Sequence, residues 1–131
     1  FDVLEHLANP ISTLNIISNK LKIGGYCVAY TPNIHSIGYE LMGAKQNTLL
    51  PFEHLCFFNK ESLYHLADKA GMEITKIEVF GLDIMDYLLM KEHEDNVNYI
   101  DNIKDMMNLV QSVLDKHEIG NHFRITFLKK K

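Results

Sequence analysis

Two acidic–histidine pairs carry most of the chemical potential of this chain: Glu5-His6 in its opening segment and Glu53-His54 in an aromatic stretch farther on. An imidazole changes charge near neutral pH. Each histidine can therefore take up a proton as a general base or, when neutral, offer a ring nitrogen to a metal ion. Glu5, His6 and His54 would together present one oxygen and two nitrogen donors, a set that a metal-dependent enzyme can use. No H-E-x-x-H spacing accompanies them, so the residues alone favour a site without metal. In the plainest alternative Glu5 and His6 only pin the start of the next helix. Asn33, which closes a Thr31-Pro32-Asn33 turn, can touch a ligand or spend its side chain on an Asx turn. His54 and Phe57-Phe58 can form a lid over a site, or the phenylalanines can simply join the core. His65, His93 and His117 fall on helical stretches and are expected at the surface.

The scaffold that must carry these groups reads as alternating helices and strands. Residues 9–23 place Ile11, Leu14, Ile17 and Leu21 on one helical face. Asn9 offers a side-chain cap, Pro10 suits the first turn, and Gly24-Gly25 supplies a left-handed stop. YCVAY, residues 26–30, is apolar at every position, which suits a strand covered on both faces. Pro32 ends it. A short helix is expected over 36–46, and 47–58 is irregular. Asn59 caps a second clear helix with Leu63, Leu66, Ala67 and Ala70 inward and Gly71 at its end. Residues 72–80 alternate through Met72 and Ile74, then slip to Ile77 and Val79, which predicts a bulge near Thr75-Lys76. A helical turn or two follows over 82–92. Residues 95–116 read as one long amphipathic helix, with Val97, Ile100, Ile103, Met107, Val110 and Leu114 on its stripe. Gly120-Asn121 breaks it. The last strand, 122–128, points Phe123, Ile125 and Phe127 to one side. The fold class is α/β, with helices packed on a sheet.

Composition narrows the partners. At 131 residues, 47% of them apolar, the chain is one domain or part of one and can fill a core. A net charge of −4 leaves no basic footprint for nucleic acid. Lys129, Lys130 and Lys131 are expected to form a solvated tail. No apolar run approaches the ~20 residues of a membrane span. Cys27 and Cys56 lie far apart in sequence, and Cys27 reads as a buried reduced thiol. That usage fits a cytoplasmic protein best.

The order DVLEHL, a helix ending in LKIGG, a strand ending in TPN, then PFEHLCFFNKESL and KAGMEI resembles the class I S-adenosylmethionine-dependent methyltransferases. The nearest branch has an E-H-L, L-K-P-G-G, T-P-N pattern. Ile23 stands where that pattern has proline, and Met72 where it often has phenylalanine. The resemblance is strongest over residues 1–80. It implies the C-terminal half of a Rossmann-like fold whose strands run in the order 3-2-1-4-5-7-6, with strand 7 antiparallel. YCVAY would be strand 5, residues 72–80 strand 6 and residues 122–128 strand 7. The long helix would be an insertion, and FDVLEHL the segment leaving strand 4. Residues 1–131 would then be a single partial domain built on a three-stranded mixed sheet in the order 5-7-6. Strands 1 to 4 and the glycine-rich cofactor loop would lie outside it. No G-x-G-x-x-G occurs in the chain, and Gly24-Gly25 follows a helix rather than a strand.

By the same resemblance the activity would be methyl transfer from S-adenosylmethionine to a small-molecule or metabolite acceptor. This chain would be the acceptor side, with a weak hold on the cofactor by itself. Asp2 and Leu4 would face the cofactor. Glu5 and His6 would sit at its methionine end as the catalytic pair, His6 accepting a proton from an acceptor hydroxyl. Asn33, His54 and Phe57 would contact the acceptor. Small-RNA 2′-O-methyltransferases carry a comparable E-x-x-E-H and a later histidine, which keeps the metal alternative at Glu5, His6 and His54 open, with Asp2 in the first acidic place. The outer edge of YCVAY would lack its neighbour and promote self-association. A non-catalytic binding or oligomerisation module that keeps the half-fold is the remaining alternative.

Overall fold

Strands Tyr26–Pro32 (β1), Met72–Phe80 (β2) and His122–Lys129 (β3) form one sheet in the order β1-β3-β2. The computed structural model describes residues 2–131. Phe1, the first residue of the FDVLEHL segment, lies outside the described residues. β3 runs antiparallel to both of its neighbours. The expected mixed sheet is corrected here. β1 and β2 point the same way, but β3 lies between them, so every hydrogen-bonded ladder is antiparallel. The alternation in β3 is realised: Phe123, Ile125 and Phe127 are each at most 1% exposed. The register shift falls between Ile74 and Lys76, where the period slipped in the sequence. That extra residue returns Ile77 and Val79 to the side of Met72 and Ile74, against the core.

Pro10–Lys20 (α1) opens as its cap predicts, with the Ser12 N–H donating to Asn9 Oδ1 at 2.9 Å. Its Leu14 is sealed in the core, a burial that stabilises by about 1.5–3 kcal/mol. Gly24 takes the left-handed conformation at φ 79°, which costs glycine nothing. Ile37–Met42 (α2) is the short helix after β1. Lys60–Lys69 (α3) begins with a reciprocal capping box: Ser62 N–H donates to Asn59 Oδ1 at 2.8 Å, and Asn59 N–H to Ser62 Oγ at 2.9 Å. α1 and α3 pack together, α3 packs on β2, and both close the face that carries Phe123, Ile125 and Phe127.

Three expectations fail for physical reasons. YCVAY is not covered on both faces: Tyr26 and Val28 are largely exposed, while Cys27 and Ala29 pack on the core. Their face carries the cross-strand row Tyr30–Arg124–Glu78, in which Glu78 accepts both guanidinium bonds of Arg124 at 2.6 Å. The helical turns expected over 82–92 are the helix Asp83–Asp95 (α4), and the long helix expected over 95–116 is Ile100–Lys116 (α5), which starts five residues later than expected. Asn96 ends α4 in the left-handed region at φ 53°. Glu92 Oε1 then accepts the Tyr99 and Ile100 N–H groups, each at 2.7 Å, and so starts α5 afresh. Val97 consequently lies in the link, and of the expected stripe only Met107 is buried. Lys129 is not part of a solvated tail. Its ammonium donates to the Ser18 and Leu21 carbonyls at 2.7 and 3.0 Å, closing the C-terminal end of α1.

Candidate functional site

Glu5 and His6 belong to a single 3-10 turn, Leu4–His6, packed beside β1. The turn is tied to the aromatic loop by its backbone: the Leu55 and Cys56 N–H groups both donate to the Glu5 carbonyl, at 2.6 and 3.0 Å. This pairing swings the second acidic–histidine pair over the first. The imidazoles of His6 and His54 meet edge to face with centroids 4.7 Å apart, and Phe57 follows at 6.3 Å from His54. Glu5 is 2% exposed and His54 9% exposed, while the His6 side chain remains 40% exposed. A reactant from solvent can therefore reach His6, behind which the carboxylate is sealed.

The hydrogen bonds determine which ring nitrogens are free. His6 Nδ1 lies 2.8 Å from the Glu53 carbonyl, and His54 Nδ1 lies 2.7 Å from the Thr48 carbonyl. A carbonyl only accepts, so each Nδ1 carries the proton and each Nε2 keeps its lone pair. His6 Nε2 stands 3.9 Å from Glu5 Oε1. One ligand atom from each of Glu5, His6 and His54 falls within 4.8 Å of the others. Glu5 Oε2 is buried and accepts no hydrogen bond among the described residues. A carboxylate oxygen buried without a donor is costly, and a cation or a protonated neighbour would relieve it.

The other expected site residues are dispersed. Asp2 is exposed, with φ 49°, and lines a cavity at the ends of β1 and β2. Leu4 is buried in the core and also walls a hollow of about 200 Å³ against Cys27, Val28 and Ala29. Asn33 is 2% exposed and does not join the histidines. Its Nδ2 donates to the Gly120 carbonyl at 2.9 Å and its Oδ1 accepts the His35 N–H at 3.0 Å, which is the Asx turn.

Sequence reasoning passed over a second polar centre. Asp83, the first residue of α4, is fully buried. Its Oδ1 accepts the Gly38 N–H at 3.0 Å, and its Oδ2 accepts the Asn121 N–H and Gln111 Nε2, at 2.9 and 3.0 Å. One carboxylate thus joins α2, α5 and the start of β3. Gly81 is required beside it: a Cβ there would stand 2.5 Å from Asp83 Oδ2. Asp86, one turn on, accepts Asn121 Nδ2 at 3.0 Å, and burial raises its carboxyl above the ordinary aspartate range. An acidic residue in the first turn of a helix was the only hint, and it ordinarily signals no more than dipole pairing.

Asp2 and Leu4, the residues expected at the cofactor, line two separate hollows. Among the described residues no glycine-rich turn leads from a strand into a helix N-terminus, so they do not form a full cradle for S-adenosylmethionine. Residues 1–77 match the family model described as a methyltransferase domain. No curated protein matches the chain.

Proposed function

The chain belongs to the methyltransferase domain family, and on that premise we propose that it supplies the acceptor side of an S-adenosylmethionine-dependent methyl transfer to a small molecule. The sheet order β1-β3-β2 supports reading these strands as 5, 7 and 6 of a class I fold, with residues 1–131 a partial domain. The cofactor supplies an electrophilic methyl group. The observation that carries the reading is the 2.8 Å contact of His6 Nδ1 with the Glu53 carbonyl, which makes Nε2 the basic nitrogen of the neutral ring on a side chain 40% exposed. Nε2 takes the proton released when an acceptor hydroxyl is methylated, and the Glu5 carboxylate at 3.9 Å stabilises the imidazolium that results. His54 and Phe57 cover the acceptor, and Leu4 lies on the cofactor side. The test is release of S-adenosylhomocysteine across a panel of small hydroxylated acceptors. His6→Gln should slow turnover by about 10²–10⁴-fold. Equal rates for His6→Gln and the unaltered protein would refute the base.

A second reading is favoured by the orphaned Glu5 Oε2 and the convergence with His6 and His54. Two neutral imidazoles and one carboxylate suit a divalent transition-metal ion such as Mn²⁺, Co²⁺ or Zn²⁺ better than Mg²⁺. The two backbone carbonyls on Nδ1 are the outer contacts that such ligands require. Equilibrium dialysis against Mn²⁺ separates the readings. A stoichiometric ion that Glu5→Gln abolishes would make Nε2 of His6 a ligand rather than a base. Retention below about a tenth of an equivalent would exclude this reading.

A further inference from the structure

A cavity of about 470 Å³ opens where β1 and β2 end and β3 begins, and it lies outside the histidine cluster. Its volume is that of a small-molecule site. One wall is a run of three rings: Tyr30 meets Phe80 edge to face at 5.6 Å, and Phe80 stacks on His122 at 5.8 Å with 27° between planes. Also lining the cavity are the Asp2 and Asp86 carboxylates and the Asn47 carboxamide. Asn47 and Asn121 both donate to Asp86, which leaves its carboxylate with acceptor capacity to spare. Asp83 stands directly behind Gly81 and adds a third negative group to the field.

Two basic side chains stand near the cavity. Arg124 reaches the Tyr30 hydroxyl at 3.5 Å, but its guanidinium is held by both oxygens of Glu78. His122 turns its Nδ1 to Asn121 Oδ1 at 2.8 Å. Burial, and more weakly Asp83, raise the Asp86 carboxyl, while the Asn47 and Asn121 amides and His122 pull it down. Ring faces beside carboxylates attract a cation twice, through the ring quadrupole and through direct charge.

The geometry points to this cavity as the binding site for a cationic, amine-bearing molecule with a planar or apolar body. It deepens the methyl-transfer reading, on which it rests, by naming the acceptor class: the amine would be the handle by which the acceptor is held. Asp2 and Asn47, which line the cavity, are chain neighbours of the segments that carry Glu5 and the Thr48 carbonyl bound to His54.

The test is a titration of the protein followed by nuclear magnetic resonance, with no methyl donor present. Three probes share one ring: 2-phenylethylammonium, neutral 2-phenylethanol and phenylacetate. The ammonium should bind at least about tenfold tighter than phenylacetate and should shift the Tyr30 and His122 signals. Asp86→Asn should reduce that preference about tenfold, and the exposed Asp2→Asn by roughly threefold. If Asp86→Asn does not fold, Asp2→Asn decides alone. Phenylacetate or the alcohol binding as well as the ammonium, or a preference untouched by these variants, would overturn the assignment. Because the donor is absent, failed methyl transfer leaves this result standing, and lack of cation preference leaves methyl transfer standing.

Discussion

Replacing Asp83 by asparagine tests whether one carboxylate holds the three elements around the cavity. The side chain keeps its size but exchanges one acceptor oxygen for a donor. Asp83 Oδ1 serves the Gly38 N–H, and Oδ2 serves the Asn121 N–H and Gln111 Nε2. Whichever way the amide turns, at least one buried N–H loses its acceptor and faces a new N–H. A buried group left unsatisfied costs about 1–3 kcal/mol. The surviving bonds also lose the roughly twofold strength of a charged acceptor. Against this stands the relief of an anion's desolvation, because no cation pairs with Asp83 among the described residues. The balance is a loss of about 2–4 kcal/mol, or a fall in Tm on the order of 10 °C. Urea unfolding followed by circular dichroism measures it directly, with an unchanged slope as the check that the denatured state is the same. A loss under about 0.5 kcal/mol would show that water or a neighbouring group takes over these donors, and the hub would not exist.

Asn59→Ala removes the side-chain half of the α3 capping box, the bond from the Ser62 N–H, and should cost about 1 kcal/mol in the same urea assay. Glu78→Gln tests the exposed row on the sheet. Arg124, and then Lys76, hold the Glu78 carboxyl down to about 2 from an ordinary 4.5, so its contribution is complete above pH 4.5 and disappears as pH falls toward 2. Melting curves of Glu78→Gln and the unaltered protein should therefore differ near neutrality and converge in acid. A gap that widens as pH drops contradicts the pair. Among the described residues β1 is hydrogen-bonded into the sheet on one side only, with Tyr26 and Val28 exposed on its face, so sedimentation velocity at micromolar concentration should reveal self-association. A single monomer boundary would count against that edge as a contact.

The parts of the fold governed by local pattern were readable in advance. Phe123, Ile125 and Phe127 alternate because a strand has a period of two, and the slip at Thr75-Lys76 appears because that period cannot be broken without a bulge. Asn9 and Asn59 announced their helices because caps act within three residues. What failed depended on distant partners. The start of α5 turns on Asn96 and on Glu92 reaching forward to Tyr99, neither of which changes the apolar stripe that placed the helix start at 95. Lys129 looked like part of a charged tail, since nothing beside it shows that α1 ends within its reach. The histidine cluster was legible as residue types, but its geometry follows from Leu55 and Cys56 pairing with Glu5, about fifty positions away in sequence. The Asp83 centre was invisible for the same reason.

One loop does two jobs at once. The peptide groups of Thr48 and Glu53 orient both imidazoles, while the same stretch is stitched to Glu5 through Leu55 and Cys56. The protonation pattern of the cluster is thus written in the length of a surface segment, not in the rings. Deleting a single residue between 48 and 53 would let the rings turn over and trade their bare nitrogens for capped ones. Reactivity would be lost while Glu5, His6 and His54 all stayed in place, and nitrogen-15 shifts of the two rings would reveal the exchange.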